Sequence, residues 1–179
     1  MKLSIITINY NNLDGLKKTV QSVIKQSYKD YEWIVIDGGS TDGSKEYLDE
    51  KKEYFSYYVS ERDSGIYNAM NKGTLKARGE FCQYLNSGDY FVDDTVLEKV
   101  FSTNNLDCDV YYGDVDFIKK NVVIERRTYP DKMSLTFLFR FPLGHQASFI
   151  RTSAAKSIMY NEKYTLIPQH YYKIFFLST

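Results

Sequence analysis

The sequence is poor in several residues whose presence would each mark a function. Cysteine occurs only twice in 179 residues, at Cys82 and Cys108, both within apolar runs and without metal-ligand spacing. A disulfide framework and a zinc finger are thereby excluded, and the two thiols read as reduced and buried in a cytosolic protein. Proline occurs three times, at Pro130, Pro142 and Pro168, all in the last third, where the regular pattern loosens. No charge of one sign dominates: 23 Lys and Arg balance 23 Asp and Glu, so electrostatics do not point to nucleic acid as a partner. No apolar run approaches the length of a membrane span. The N-terminal Lys2 and the short apolar run after it lack a small-residue cleavage site, so they read as a first strand rather than a signal peptide. Repeats and low-complexity segments are missing as well.

Aromatic side chains are abundant, with 17 Tyr and 11 Phe. They suit a core with polar-tipped rings at its edge, the preferred reading, or a sugar-binding cleft. The length suits one domain with a substantial core. It divides into a half over 1–92 and a second over 93–179, where the pattern changes.

The chain is organised around Val35-Ile-Asp-Gly-Gly-Ser-Thr-Asp-Gly-Ser44. Tyr31 to Ile36 is a β-branched run of the buried-strand kind, and Lys45 to Lys52 reads as a helix. Ser40 or Thr41 is placed to cap that helix, with Asp42 near the positive end of its dipole. Asp37 therefore ends a strand, where open α/β sheets bind ligands, and its carboxylate can accept hydrogen bonds from a base or ribose. Gly38 and Gly39 leave the backbone open to a ligand. Taken alone, the stretch also fits a plain strand-to-helix turn.

The same scheme repeats on either side. Leu3 to Ile8 reads as a strand covered on both faces, and Leu13 to Gln26 carries apolar residues at helical spacing. Phe55 to Ser60 is a strand, Ile66 to Ala77 a helix ended by Gly79, and Glu80 to Leu85 a strand leading into Asn86-Ser87-Gly88-Asp89. This rhythm predicts a doubly wound α/β sheet with right-handed crossovers. Asp37, Asp63 and Asp89 each follow a strand and share one sheet edge. They repel unless a cation or ligand donors sit among them, although Asp is also common in loops. Beyond them, Asp94 to Phe101 reads as a helix. Val110 to Ile118 and Val122 to Arg127 form a hairpin, Met133 to Phe139 a short helix and Gln146 to Ile150 a strand. Together they predict a mixed α+β extension closing over the sheet edge.

Four stretches occur in order: Ser4-Ile-Ile-Thr-Ile-Asn-Tyr-Asn11, Val35 to Ser44, Glu61-Arg-Asp-Ser-Gly-Ile-Tyr-Asn-Ala-Met-Asn-Lys-Gly73 and Gly79-Glu-Phe-Cys-Gln-Tyr-Leu-Asn-Ser-Gly-Asp89. Together they resemble the inverting glycosyltransferases of family 2, in the bacterial branch that builds capsule, exopolysaccharide or lipopolysaccharide. The resemblance implies a GT-A (Rossmann-like) nucleotide-diphospho-sugar transferase sheet. It also implies a UDP- or GDP-sugar donor, a divalent Mg²⁺ or Mn²⁺ on its diphosphate, and a glycan or lipid-linked acceptor. By that resemblance Asp37 contacts the nucleotide, Thr7 and Asn9 line base and ribose, and Asp63 helps hold the nucleoside. The family's fourth motif usually reads Asp-x-Asp-Asp, and Asp89 is the acid retained here as a metal ligand. His145, in Gly144-His-Gln-Ala-Ser-Phe149, either completes the metal shell or touches the diphosphate; a hydrogen-bonded structural role is equally open. Tyr67, Asn68, Asn71 and Lys72 follow Asp63 on its helix, and Lys72 reads as a solvated lysine rather than a phosphate ligand.

The pattern breaks near the C-terminus. Relatives carry a catalytic Asp where this chain reads Tyr164-Thr-Leu-Ile-Pro-Gln-His-Tyr-Tyr172. His170 falls at the position of the base, or Gln169 with a shift of one, and no carboxylate follows Glu162. The end reads as truncated or frameshifted, or else Ile174-Phe-Phe-Leu177 meets a membrane surface, a partner or another copy. The expected place is the cytoplasm, including the inner face of its membrane. A sugar-nucleotide-binding protein without transfer is the alternative. A nucleotidyltransferase is weaker, because Asn9-Tyr10-Asn11-Asn12 is not a Gly-rich basic loop.

Overall fold

A computed structural model describes residues 1–102, 107–120, 122–141 and 143–163. The first half alternates β1 (Leu3–Asn9), α1 (Leu13–Ile24), β2 (Tyr31–Asp37), α2 (Ser44–Glu50), β3 (Tyr57–Ser60), α3 (Ile66–Lys76) and β4 (Phe81–Tyr84). A 3-10 turn at Lys52–Tyr54 leads into β3. The second half carries α4 (Val96–Phe101), β5 (Val110–Tyr112), β6 (Val115–Lys119), β7 (Val122–Arg127), α5 (Leu135–Arg140), β8 (Ser148–Arg151) and α6 (Thr152–Ser157).

Six strands form one sheet in the order β3-β2-β1-β4-β8-β5, and β6 pairs with β7 in a separate ribbon. The strands β1 to β4 are parallel, whereas β8 runs antiparallel to both β4 and β5. Every residue of β1 is buried, as the unbroken run of branched side chains requires of a central strand covered on both faces. Helices cover the two faces. One core joins Leu16, Val20 and Val23 of α1, Leu48 of α2 and Leu97 and Phe101 of α4 to Leu3, Ile5, Trp33 and Phe149. The other sets Ala69 and Met70 of α3 against Ile6, Ile34, Ile36 and Tyr84. Many of the aromatic rings serve packing: Trp33 meets Phe55 edge-on at 4.9 Å, and Phe101 meets Phe149 edge-on at 5.2 Å. Among the described residues no helix is long and apolar enough to cross a membrane.

Tertiary contacts correct four local expectations. Neither Ser40 nor Thr41 caps α2; the residue before it is Gly43, at φ 92°, and the Ser40 hydroxyl is bound to Asp37 instead. The run Val110 to Ile118 is two strands rather than one. It breaks at Gly113–Asp114, where the Gly113 N–H donates to the Ala147 carbonyl, so β5 joins the main sheet and only β6 enters the hairpin. Cys82 is buried and Cys108 only half-buried, and both are free thiols. Gly79 does not end α3, which stops at Lys76 with Ala77 already extended.

Gly79 is needed for close approach. A Cβ there would lie 2.6 Å from the Leu3 carbonyl carbon and the Ser4 nitrogen, both backbone atoms of β1. The Gly79 N–H donates to Ser4 Oγ at 2.8 Å and to Glu32 Oε1 at 3.2 Å. Glu32 is a buried acid: desolvation raises its pKa, but hydrogen bonds from Ser4 and Arg78 outweigh this and hold it below its ordinary value. Because β1 cannot yield, Gly79→Ala is expected to destabilise the fold by about 1–3 kcal/mol, the usual cost of overpacking. Urea denaturation checks this, and an unchanged midpoint would contradict the close approach.

Candidate functional site

Sheet register brings three polar residues side by side at the carboxyl ends of the first strands. Asn9 is the register partner of Asp37, and Asp37 that of Ser60. The Asp37 side chain, expected to face a base or ribose, is enclosed at 0% exposure. Its Oδ1 accepts from Asn9 Nδ2 at 2.8 Å and Ser40 Oγ at 2.6 Å. Its Oδ2 accepts from the Ser40 N–H at 3.0 Å and Ser60 Oγ at 2.6 Å. Desolvation pushes the carboxyl pKa up, and the bonds from Ser40, Ser60 and Asn9 more than reverse this, leaving it below its ordinary value. The group is thus ionised, and its oxygens are engaged by protein donors.

A cavity of about 660 Å³ opens above this network, lined by Asn9, Tyr10, Gly38, Arg62, Asp63 and Asn86 among others. Asn9 bonds Asp37 through its amide nitrogen, which leaves Oδ1 buried without a hydrogen-bond partner. Such an orphaned acceptor is costly unless a donor meets it. Asp63 Oδ1 accepts from the Gly65 N–H at 2.9 Å. Its Oδ2 occupies space that only a glycine at 38 leaves open, since a Cβ there would lie 2.7 Å from it.

Thr7, expected to line base and ribose, requires a correction. Strand alternation turns its side chain into the core, where Oγ1 accepts from Trp33 Nε1 at 3.0 Å. Arg62 and Tyr10 line the cavity without having been singled out. Their signal was adjacency to Asp63 and Asn9, but which way a loop side chain turns is not written in the local sequence. Lys72 is part-exposed, away from the cavity lining, and pairs with the exposed Glu61 at 2.6 Å. Asn68 and Asn71 both donate to Glu162, at 3.0 and 2.7 Å, and Tyr67 stacks on Tyr160 at 5.3 Å. His170, Gln169 and the apolar end Ile174 to Leu177 lie outside the described residues.

The turn Asn86 to Asp89 borders this cavity and is anchored by α1. Thr19 Oγ1 accepts from the Gly88 N–H at 3.0 Å and donates to the Asp89 carbonyl at 2.7 Å. Asn12 Nδ2 donates to the Ser87 carbonyl at 2.9 Å. Asp89 is 36% exposed, yet desolvation pushes its pKa up to about 6. His145 Nε2 lies 3.9 Å from Asp89 Oδ2 and 3.0 Å from Asn86 Nδ2, while Asn86 Oδ1 is buried without a partner. Burial pushes the His145 pKa down to about 4, so the ring is neutral at pH 7. Asp37, Asp63 and Asp89 share the sheet edge but do not converge. Among the described residues no three of His, Cys, Asp and Glu gather as a ligand cluster.

Comparison with known proteins bears on the fold and the family. An uncharacterized glycosyltransferase of Mycobacterium tuberculosis is 48% identical over 90 residues, covering 50% of this chain and 34% of its own length. The chain therefore spans about a third of that relative (34%). The structure of Staphylococcus aureus TarS 1–349 in complex with UDP superposes with a TM-score of 0.73 at 20% identity, covering 92% of this chain and 52% of that one. The mannosyltransferase PcManGT from Pyrobaculum calidifontis, in complex with GDP-Man and Mn²⁺, superposes at 0.60 with 14% identity over 87% of this chain and 46% of that one. Both share the GT-A sheet. The pattern of glycosyl transferase family 2 matches residues 4–164, and the chain belongs to that family.

Proposed function

We propose that this chain is the donor-binding part of an inverting transferase. It would move a hexose-type sugar from a UDP- or GDP-sugar to a glycan or lipid-linked acceptor during assembly of a bacterial surface polysaccharide, on the cytoplasmic side. The observation that carries the reading is the cavity of about 660 Å³ at the carboxyl ends of the parallel strands, lined by Asn9, Gly38, Arg62 and Asp63 and bordered by the Asn86–Asp89 turn. Asp63 offers an acceptor to a base or ribose, and Arg62 a charge suited to phosphate. Asp37 acts beneath them as a positioning group, fixing Asn9 and the Gly38–Ser40 loop.

The residues around the turn suit a hard divalent cation. Asp89 supplies one carboxylate, neutral His145 an imidazole and Asn86 an amide oxygen without a partner. Mg²⁺ and Mn²⁺ are commonly held by one or two protein groups plus phosphate oxygens and water. When bound, such an ion neutralises the charge that develops on the leaving diphosphate. The acceptor hydroxyl needs a base, and His170 is the proposed group, with an ordinary pKa near neutrality. The second reading, donor binding without transfer, draws on the lack of a carboxylate across Tyr164 to Tyr172.

Titration calorimetry with UDP and GDP, with and without Mn²⁺, tests the donor reading; no binding of either would end it. Asp89→Asn is expected to remove the Mn²⁺-dependent part of diphosphate binding while uridine or guanosine binding barely changes. Persistent metal dependence would make His145 or Asn86 the principal ligand. Asp37→Ala is expected to weaken nucleotide binding by about 1.5–3 kcal/mol and to lower Tm together with it, because it releases buried donors. Weaker binding at an unchanged Tm would instead indicate direct contact.

The raised Asp89 pKa also predicts a pH-dependent stability. Below its ordinary value of 3.8 the acid is protonated whether folded or unfolded and contributes nothing. As pH rises towards about 6, the unfolded chain ionises first, so the native state loses stability and the full cost is present above that. Metal-free Asp89→Asn should therefore have a higher Tm than the wild type at pH 7.5, and the gap should close near pH 4. Equal Tm values at both pH values would show that the carboxylate is not desolvated.

A further inference from the structure

Four polar side chains form a stripe along α1. Asn12 caps the helix, Thr19 stands seven residues on and Gln26, just past the helix end, seven more, about two turns each time. Ser22 lies between the last two. Thr19 and Gln26 are fully buried, beside the apolar Leu16, Val20 and Val23 that fill the core.

The whole stripe is directed at the backbone of one segment, in chain order. Asn12 Nδ2 donates to the Ser87 carbonyl at 2.9 Å, and Thr19 Oγ1 accepts from the Gly88 N–H at 3.0 Å while donating to the Asp89 carbonyl. Ser22 Oγ accepts from the Phe91 N–H at 3.3 Å. Gln26 Nε2 donates to the Asp93 carbonyl at 2.6 Å, and its Oε1 accepts from the Leu97 N–H at 3.0 Å. Residues 85–95 belong to no strand. Beyond Ser87, whose N–H still donates to the Ile8 carbonyl of β1 at 3.0 Å, the segment needs other partners for its buried backbone. Side chains of α1 supply them in place of a sheet ladder.

The two ends of the stripe hold different things. Asn86 and Ser87 line the cavity of about 660 Å³, and Gly88 and Asp89 line a second one of about 640 Å³, walled in part by Gln83, Tyr90 and Tyr111. Asp93 and Leu97, at the Gln26 end, line neither. A threonine inside a helix ordinarily bonds the carbonyl four residues back. Here the Gly15 carbonyl lies at 3.2 Å and the Asn86 carbonyl at 3.3 Å, whereas the Asp89 carbonyl at 2.7 Å claims the single hydroxyl proton. Because the Asp89 N–H donates to the Asn86 carbonyl at 2.9 Å, both main-chain polar groups of Asp89 are held. Gly88, at φ 103°, turns the chain into that position.

We propose that Thr19, assisted by Asn12, is a positioning residue for the divalent cation: it fixes the main chain from which the Asp89 carboxylate projects, while the Gln26 end of the same stripe serves stability alone. The proposal rests on the donor and cation reading above.

Titration calorimetry of the full chain with UDP and GDP, with and without Mn²⁺, tests it, with uridine and guanosine as the metal-independent reference. Thr19→Val keeps the shape and loses the hydroxyl. It is expected to weaken the Mn²⁺-dependent part of diphosphate binding about tenfold to hundredfold, the usual effect of losing a group that orients a metal ligand, with nucleoside binding unchanged. Thr19→Ser should restore it. Asn12→Ser keeps an equivalent helix cap but is too short to reach Ser87, so it should weaken the same part at a nearly unchanged Tm. That variant carries the test if Thr19→Val does not fold. Gln26→Leu should lower Tm at least as far as Thr19→Val and leave the Mn²⁺ dependence in place. In the metal-free chain, the Gly88 amide should exchange its hydrogen about tenfold faster in Thr19→Val than in the wild type. Mn²⁺ dependence kept in Thr19→Val or Asn12→Ser, or lost equally in Gln26→Leu, would overturn the proposal and leave the cation reading standing. Nucleotide binding without Mn²⁺ dependence in the wild type ends the cation reading and this proposal with it, and the absence of nucleotide binding ends the donor reading as well.

Discussion

A buried negative charge holds the functional edge of this molecule together. Transfer of an unpaired carboxylate from water into protein costs several kcal/mol, and Asp37 is fully enclosed. Four donors offset that cost, from Asn9 on β1, Ser60 on β3 and the hydroxyl and backbone N–H of Ser40 in the loop after β2. Each such bond to a charged group contributes on the order of 1.5–3 kcal/mol. The network therefore exists only when three neighbouring strands are in register and the loop is folded over them. Cavity floor and sheet edge form as one unit.

The opposite logic governs Asp89. Its carboxylate accepts no donor set like that of Asp37, and desolvation dominates it. The turn that carries it is nevertheless fixed, because α1 reaches over through Asn12 and Thr19 to bond the backbone of residues 87–89. A rigid frame thus holds an under-satisfied acid beside a neutral imidazole and an orphaned amide oxygen. Ionisable groups perturbed by burial cluster where function needs them. The same turn borders two cavities, with Asn9 among the lining residues of one and Gln83 of the other.

Local sequence determined much of this protein. Branched apolar runs marked β1 and β2, helical spacing marked α1, the repeated scheme marked α3, and the alternation required a doubly wound sheet with Asp37, Asp63 and Asp89 at one edge. Ordered motifs were enough for the family as well. These features are legible because periodicity and connection length depend only on neighbours along the chain. What each side chain does was decided by contacts between residues far apart in sequence. Thr7 faces the core because Trp33 supplies its partner, and Ser40 leaves the helix cap because Asp37 lies beneath it. Gly79 meets the backbone of β1 rather than closing a helix, and the run from Val110 splits because Ala147 claims the Gly113 N–H. A carboxylate after a strand looks the same in sequence whether protein donors surround it, as at Asp37, or desolvation dominates it, as at Asp89. Only the tertiary structure settles which donors reach it, because desolvation and hydrogen bonding are set by everything packed around the group rather than by its neighbours in the chain.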